Sequence, residues 1–318
     1  MNCFVGFDTS NYTTSAAVCD ETGRVRANLK SPLPVAEGNR GLRQSDALFA
    51  HTKNLPELCD RLAAVLRDED LTPIAVGCSA KPRDAEGSYM PCFLAGIAAA
   101  HSFAAARGLP VFDFSHQDGH IMAAYCSSGA EIKGDFVAFH VSGGTTEVLF
   151  VRQTDTGFSP ELIGGTNDLN AGQAVDRVGV MMGMRFPAGP ELDLTALGYT
   201  GRVPKPAVSV DGLYCNLSGL ENIAAKFWRD TGDRALVSAV TLDFVARTIS
   251  GITKNLRAEY AGIPVIYAGG VMSSRYIKEK LKGENIFFAE PGFSADNAAG
   301  ISLLCRRLFG KGTDGNRA

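Results

Sequence analysis

The chain has 318 residues and a formal net charge of −3, and hydrophobic residues make up 45% of it. These values are typical of a globular α/β protein with about two domains, and they exclude a disordered or collagen-like chain. The small negative charge argues against a protein that wraps nucleic acid by itself, although it permits a local basic patch or an RNA brought by a partner. The start of the chain lacks a signal-peptide pattern, no apolar run is long enough to span a bilayer, and the eight cysteines form no CxxC pair. We therefore expect a cytoplasmic protein with reduced thiols and no membrane association.

The elements are predicted from apolar periodicity and turn residues. In chain order they are two strands at 4–18, helices at 45–67 and 90–107, a strand at 111–114, two strands at 136–150, helices at 169–183, 219–230 and 234–259, a strand at 264–268, a helix near 273–282, a strand at 286–289 and a closing helix from about 295. The pattern from Ser218 to Glu221 predicts a capping box at the start of one of these helices. Alternating strands and helices predict parallel sheets covered on both faces, and hence two α/β lobes with a ligand-binding cleft between them.

An internal repeat predicts that the two lobes are duplicates. Residues 4–18 (FVGFDTSNYTTSAAV) align with residues 136–150 (FVAFHVSGGTTEVLF), with hydroxyl residues at matching offsets. Each copy is typical of a strand, a tight turn and a second strand. The repeat predicts an N-terminal lobe at 1–132 and a C-terminal lobe at 133–318, with a closing helix able to pack back on the first lobe.

The tight turn of the second copy has the features of an anion cradle. Gly143 and Gly144 let backbone N–H groups approach a phosphate closely, and Ser142 adds a hydroxyl donor. The equivalent turn of the first copy, from Asp8 to Thr13, is expected to face it from the other lobe. Either turn alone would be an ordinary hairpin, but two in a duplicated frame predict a shared phosphate site.

Two further segments are suited to the rest of a nucleotide. Gly269 and Gly270 lie between a predicted strand and a helix with a serine cap at 273 or 274, so a flat ring or a ribose could lie against bare backbone. A Pro-Ala-Gly-Pro turn is flanked by two acids, Asp176 and Asp193, which are able to hold ribose hydroxyls.

Two of the five histidines, His116 and His120, are spaced four residues apart. On a helix both rings would lie on one face, as ligands of a divalent metal such as zinc or iron. Asp296, at a predicted helix start, is the candidate third ligand. Spacing alone leaves open that both histidines only cap or pack. Gln117 occupies the position of the general base in an HExxH motif, which disfavours a zincin-type peptidase.

Together these motifs resemble one family along nearly the whole chain. It is the TsaD family of tRNA threonylcarbamoyladenosine transferases, formerly called O-sialoglycoprotein endopeptidases of peptidase family M22. The segments that carry the resemblance are, in order, GFDTSNYTTSAAV, HQDGH, VSGGTTEV, NAGQAVDRVGVMMGMRFPAGPELD, NLSGLEN, YAGGVMSSR and SADNAAG.

The resemblance implies an actin-like ATPase fold of two duplicated RNase H-like lobes, with nucleotide and metal in the cleft. It implies a donor, threonylcarbamoyl-AMP, an acceptor, N6 of the adenosine that follows the anticodon in tRNA, and partner proteins. One divalent metal, iron or zinc, would be bound by His116, His120 and Asp296. The first turn would supply the candidate catalytic residues Asp8, Ser10 and Thr13. By motif match, the residues that would hold the adenylate are His140, Val141, Ser142, Gly143, Gly144, Asp176, Gly189 and Asp193.

Several positions depart from the family pattern. Asn11, Tyr12 and Thr13 replace an acidic pair followed by Thr, the loop from Lys81 to Tyr89 replaces a Gly-rich loop, and Ser274 replaces an Asn expected near the base. Three alternatives therefore stay open beside the transferase. They are a diverged nucleotide- and metal-binding paralogue that pairs with an actin-like partner or with itself, an actin-like kinase or ATPase that binds ATP, and a metallopeptidase.

Overall fold

The structure is a computed structural model, and it describes residues 1–10, 12–34, 42–155, 157–294 and 298–314, with the backbone alone at 311–314. Contacts divide the chain into two compact units. The first comprises Met1–Cys126, Gln153–Phe158 and the described residues from 298 onwards, and the second comprises Ser127–Arg152 and Ser159–Ser294. The lobe boundary between 132 and 133 stays a prediction.

The N-terminal segment builds a five-stranded sheet with three helices. Its elements are β1 (Asn2–Thr9), β2 (Thr13–Asp20), β3 (Val25–Pro32), α1 (Gln44–Asp68), β4 (Thr72–Lys81), α2 (Phe93–Ala105), β5 (Val111–Ser115) and α3 (His116–Ser127). The strand order is β3-β2-β1-β4-β5. The pairs β1–β2 and β2–β3 are antiparallel, whereas β1–β4 and β4–β5 are parallel.

The second segment builds a seven-stranded sheet. Its elements are β6 (Phe136–Val141), β7 (Thr146–Gln153), β8 (Phe158–Thr166), α4 (Ala171–Met181), α5 (Gly189–Leu197), β9 (Ser209–Asp211), β10 (Tyr214–Asn216), α6 (Gly219–Thr231), α7 (Arg234–Glu259), β11 (Val265–Ala268), a 3-10 turn (Val271–Ser273), α8 (Arg275–Leu281), β12 (Ile286–Phe288) and α9 (Pro291–Ser294). The strand order is β12-β11-β6-β7-β8-β10-β9. A last helix, α10 (Ala299–Asp314), belongs to the first unit.

The two sheets share one topology. The order β8-β7-β6-β11-β12 repeats the order β3-β2-β1-β4-β5, and in both the first hairpin is antiparallel while the next two neighbours are parallel. The aligned segments 4–18 and 136–150 form the corresponding hairpins β1–β2 and β6–β7. The predicted duplicated α/β fold is therefore confirmed, and β9 and β10 are additions to the second copy.

Each sheet has its own apolar core. In the first unit α1 and α2 cover one face, and α10 packs on the opposite face against β1, β2 and β4. This approach is close, since a Cβ on Gly6 would lie 2.6 Å from the backbone nitrogen of Ser302. In the second unit α7 is the central helix of the core. Among the described residues, α7 alone has the length and composition of a membrane span, but 72% of its apolar window is buried, as expected of a core helix.

Some predicted bounds differ from the observed ones. The helix predicted at 90–107 is limited to α2, and the helix predicted near 273–282 divides into a 3-10 turn and α8. The segment predicted as a turn around Gly189 includes the start of α5. Five strands, β3, β4, β8, β9 and β10, were not predicted. β3 carries charged residues along a partly buried strand, and β4 has small residues without alternation.

Candidate functional site

Asp8, the residue before the end of β1, has a carboxylate that is almost fully buried, 1% exposed. Its Oδ1 accepts a hydrogen bond from the backbone N–H of Ser10 at 2.8 Å, and its Oδ2 accepts one from Nδ1 of His116 at 2.6 Å. The hydroxyl of Ser15 donates to its carbonyl at 3.1 Å. The first turn is thus held to α3 through one carboxylate.

The two histidines lie together on α3. The Nε2 atoms of His116 and His120 are 2.9 Å apart, and the ring centroids are separated by 4.3 Å. A carboxylate can only accept, so Asp8 fixes the tautomer of His116 with its proton on Nδ1 and directs the Nε2 lone pair toward His120. This is the carboxylate–histidine arrangement that supports metal ligands in proteins. A tetrahedral zinc ion with Zn–N bonds of about 2.0–2.1 Å needs ligand nitrogens about 3.3 Å apart, which is a small change from the observed spacing. The pair therefore fits a divalent metal.

Local sequence explains why α3 starts where it does. The hydroxyl of Ser115 accepts from the N–H of Asp118 at 3.1 Å, which caps the first turn of the helix, and donates to the Asp118 carboxylate at 2.8 Å. Burial raises the pKa of Asp118 to about 6. This cap places His116 in the first turn and His120 one turn later on the same face.

The stretch between the histidines contacts α10. A Cβ on Gly119 would lie 2.9 Å from the Cδ1 atom of Ile301, and one on Gly300 would collide with the carbonyl of Gly119. Glycine at both positions lets α3 and the start of α10 approach closely. Asp296, the predicted third ligand, lies outside the described residues.

A buried histidine that sequence reasoning missed holds the first turn from the other side. His51 on α1 is 0% exposed; its Nε2 donates to the carbonyl of Ser10 at 2.6 Å, and its Nδ1 accepts from the hydroxyl of Thr14 at 2.9 Å. The hydroxyl of Ser10 is buried without a partner among the described residues. Thr13 opens β2 and pairs with Pro32. A lone histidine in a helix is typical of packing, so no sequence signal identified this contact.

The second turn forms as predicted between β6 and β7. The N–H of Ser142 donates to the carbonyl of Thr145 at 2.7 Å, and its hydroxyl accepts from the N–H of Thr145 at 3.2 Å. A Cβ on Gly143 or on Gly144 would meet no atom within 4 Å, so the backbone there is open to a ligand. Behind the turn, α4 is in close contact, because a Cβ on Gly172 would lie 2.6 Å from Gly143.

Gly269 and Gly270, which follow β11, lie beside the end of β6. Gly269 has φ +100°, and a Cβ there would clash with the carbonyl oxygen of Val141. Gly270 has open space around it. The first glycine is therefore required by packing, and the second leaves bare backbone exposed. His140 lies one residue before Val141, where β6 pairs with β11.

Asp176 and Asp193, the two acids predicted to hold ribose hydroxyls, each accept their own set of hydrogen bonds. Asp176 accepts the N–H of Ala188 at 2.7 Å and the N–H of Gly189, and burial raises its pKa. Asp193 accepts the hydroxyl of Ser274 and two backbone N–H groups at the start of α8. The ribose roles of these acids stay predictions.

Lys81, at the start of the loop that departs from the family pattern, forms an exposed ion pair with Asp84 at 2.5 Å. Such surface pairs contribute little energy, so Asp84 does not hold the Lys81 ammonium group strongly.

Comparison with solved structures identifies proteins of similar fold. Full-length HypF in its phosphate- and nucleotide-bound form matches with TM-score 0.57 at 13% identity; the match covers 98% of this chain and 55% of HypF, so the chain spans about half of that protein. The activator of 2-hydroxyisocaproyl-CoA dehydratase from Clostridium difficile with bound ADPNP matches with TM-score 0.53 at 10% identity, over 98% and 97% of the two chains. A ROK family glucokinase from Streptomyces griseus in complex with glucose and AMPPNP matches with TM-score 0.51 at 16% identity, over 96% and 99%.

The duplicated sheets and these likenesses define a protein of the actin-like ATPase fold. Residues 37–303 match the family described as TsaD, tRNA N6-adenosine threonylcarbamoyltransferase. The chain belongs to the TsaD family.

Proposed function

We propose that this protein transfers the threonylcarbamoyl group from threonylcarbamoyl-AMP to N6 of the adenosine that follows the anticodon in tRNA, together with partner proteins. Family membership supports the reaction class. The observation that carries the proposal for this chain is the Asp8–His116–His120 chain of contacts, because it presents two imidazole nitrogens as metal ligands.

The metal-binding residues in this proposal are His116, His120 and Asp296. When bound, a divalent ion, iron or zinc, polarises the transferred carbamoyl group or its phosphate. Asp8 orients His116 and keeps its proton on Nδ1. The N6 amine forms the new N–C bond, the bond between the carbonyl carbon and the phosphate oxygen breaks, and AMP leaves with the bonding pair while one N6 proton passes to solvent.

The adenylate is proposed to bind in the second unit. The open backbone of Gly143 and Gly144 and the hydroxyl of Ser142 are suited to its phosphate. The bare backbone at Gly270 is suited to its base or ribose. Three solved relatives of this fold are described with bound nucleotide or a nucleotide analogue, which supports a nucleotide as the ligand.

The test is threonylcarbamoyladenosine formation, measured by nucleoside mass spectrometry. Supplied threonylcarbamoyl-AMP, unmodified tRNA and candidate partner proteins are mixed with the chain, and a known transferase serves as positive control. We expect product with the unchanged chain and at least about a 100-fold loss in His116→Ala, because a metal ligand is removed.

The matched control is Gln117→Ala, which changes a neighbouring side chain on the same turn of α3 and is expected to keep the activity. Absence of product while the positive control works would overturn the proposal and favour a paralogue with another acceptor or none. Equal activity in His116→Ala and Gln117→Ala would remove the histidine pair from the mechanism.

A further inference from the structure

A second group of metal-ligating side chains lies in the first unit. It consists of Cys78 on β4, His101 on α2 and Asp113 on β5, whose ligand atoms all lie within 4.8 Å of one another. None of the three residues belongs to a motif that the sequence shows. In the sequence they are at least 12 residues apart, so only the tertiary structure brings them together.

Strand register and helix packing create the group. Cys78 and Asp113 are register partners on the parallel strands β4 and β5, so their side chains emerge on the same face of the sheet. α2 packs on this face, where Cys78 and Ala100 belong to one apolar core. His101 follows Ala100 on α2, and its imidazole lies within 4.8 Å of the ligand atoms of Cys78 and Asp113.

The three side chains offer sulfur, nitrogen and oxygen, a mixed set that suits zinc. The Sγ atom of Cys78 and the Oδ1 atom of Asp113 are 3.2 Å apart. Tetrahedral coordination with Zn–S of about 2.3 Å and Zn–O of about 2.0 Å requires about 3.5 Å between these atoms. Cys78 is buried whereas His101 and Asp113 are exposed, so an ion can enter from solvent and the exposed imidazole can rotate to complete the contact.

We propose that Cys78, His101 and Asp113 form a second divalent-metal site that binds zinc and leaves its fourth position to water. This site is separate from the histidine pair of α3 and does not depend on the proposed transferase activity. Its ligands come from β4, β5 and α2, so the bound ion stabilises the packing of α2 on the edge of the sheet.

Binding replaces a proton. In the free protein the Cys78 thiol donates a hydrogen bond to Oδ1 of Asp113, so the sulfur carries a proton. On binding, the S–H bond breaks, the S–Zn bond forms, and one proton passes to the buffer. A zinc titration should therefore release about one proton per ion bound.

The experiment uses the full chain with His116→Ala and His120→Ala, which removes the first histidine pair. Zn²⁺ affinity is measured by competition with a chromophoric chelator, and Co²⁺ is used as a spectroscopic probe of a sulfur ligand. We expect one ion per chain, a thiolate-to-cobalt charge-transfer band, and a higher Tm with Zn²⁺. Adding His101→Gln or Asp113→Asn should weaken binding at least about tenfold and remove the Tm increase.

These two side chains are exposed, so their variants are expected to fold. Glu57→Gln is the matched control for the exposed carboxylate, and Cys59→Ser is the control for Cys78→Ser because both cysteines lie in the same core. The band should vanish in Cys78→Ser and persist in Cys59→Ser. Zinc binding that is unchanged in His101→Gln and Asp113→Asn, a band that survives Cys78→Ser, or no stoichiometric binding would each overturn the proposal.

Discussion

At the scale of single residues, Asp8 has a structural task that its place in the first turn did not reveal. Its motif predicts a catalytic role, and in the structure its two oxygens have different partners, the Ser10 N–H and the His116 ring. It therefore couples the backbone of the first turn to the orientation of a candidate metal ligand. The network from His51 to the Ser10 carbonyl holds the same turn from α1.

Asp8→Asn is expected to weaken zinc binding at the histidine pair by about 10–100-fold, because the amide loses the negative charge that supports the ligand His116. Affinity is measured by chelator competition in a chain that also carries His101→Gln and Asp113→Asn, so that the second proposed site does not contribute. Asp20→Asn, which changes another almost fully buried carboxylate of the same sheet, is the control and should keep the affinity. An unchanged affinity in Asp8→Asn would contradict the supporting role.

One residue-level prediction was wrong. The Ser218 side chain makes no capping hydrogen bond to α6 and donates instead to Asp168, while Glu221 pairs with Arg177. Burial tends to raise the pKa of Asp168, but hydrogen bonds from the Ser218 hydroxyl and nearby backbone N–H groups outweigh this and lower it to about 2. The acceptor at the start of α6 thus comes from a residue about fifty positions earlier, which a local pattern cannot show.

At the scale of elements, glycines decide how closely strands, turns and helices approach. Gly269 brings the segment after β11 against the end of β6, Gly172 brings α4 against the second turn, and Gly119 and Gly300 bring α3 against α10. Each of these contacts lies beside a turn or helix that carries candidate site residues. The sequence marked glycine-rich turns, but only the packed structure separates glycines required by contact from glycines that leave backbone open.

The pair Gly269 and Gly270 gives a direct test of this distinction. Gly269→Ala is expected to lower the free energy of unfolding of the second unit by about 2 kcal/mol or more, because φ is positive and the new Cβ clashes with the Val141 carbonyl. Urea unfolding followed by the fluorescence of Trp228, the single tryptophan of the chain, reports on this unit.

Gly270→Ala is the matched control. Its φ of −59° and ψ of −34° are those of an ordinary helical residue, and its Cβ would meet no atom. It should change the free energy of unfolding by less than about 1 kcal/mol. Equal effects of the two substitutions would show that the close approach at Gly269 is not rigid.

At the scale of the whole molecule, the chain leaves the first unit and returns to it. Most of the first unit is N-terminal, but α10, at the other end of the chain, covers one face of its sheet. On α10, Ile301 and Leu304 are 0% exposed and Leu303 is 4% exposed. Burial of such side chains contributes about 2 kcal/mol each, so together they account for much of the stability of an ordinary domain.

A chain that ends at Ser294 is therefore expected to lose the cooperative folding of its first unit. The second unit should keep a Trp228 transition, whereas the amides of β1 and β2 should lose protection in hydrogen exchange measured by mass spectrometry. A chain that ends at Asp314 keeps α10 and is the control. Full protection of β1 in the chain that ends at Ser294 would contradict the covering role of α10.

The sequence by itself determined the duplicated fold, the family and the location of the turns. These properties follow from patterns in the sequence. Apolar periodicity predicted most helices, and the matching segments at 4–18 and 136–150 predicted the two hairpins. The spacing of His116 and His120 predicted that both lie on one helix face. Such patterns depend on neighbours within a few residues, so they can be read without the tertiary structure.

Only the tertiary structure decided the long-range contacts. It paired Asp8 with His116, placed His51 against Ser10, gave α6 its acceptor from Asp168, and gathered Cys78, His101 and Asp113 at one sheet edge. These contacts depend on strand register and on which helix covers which face. Both are set by the packing of the entire core, because a one-residue change of register would turn strand residues such as Cys78 and Asp113 to the opposite face of the sheet.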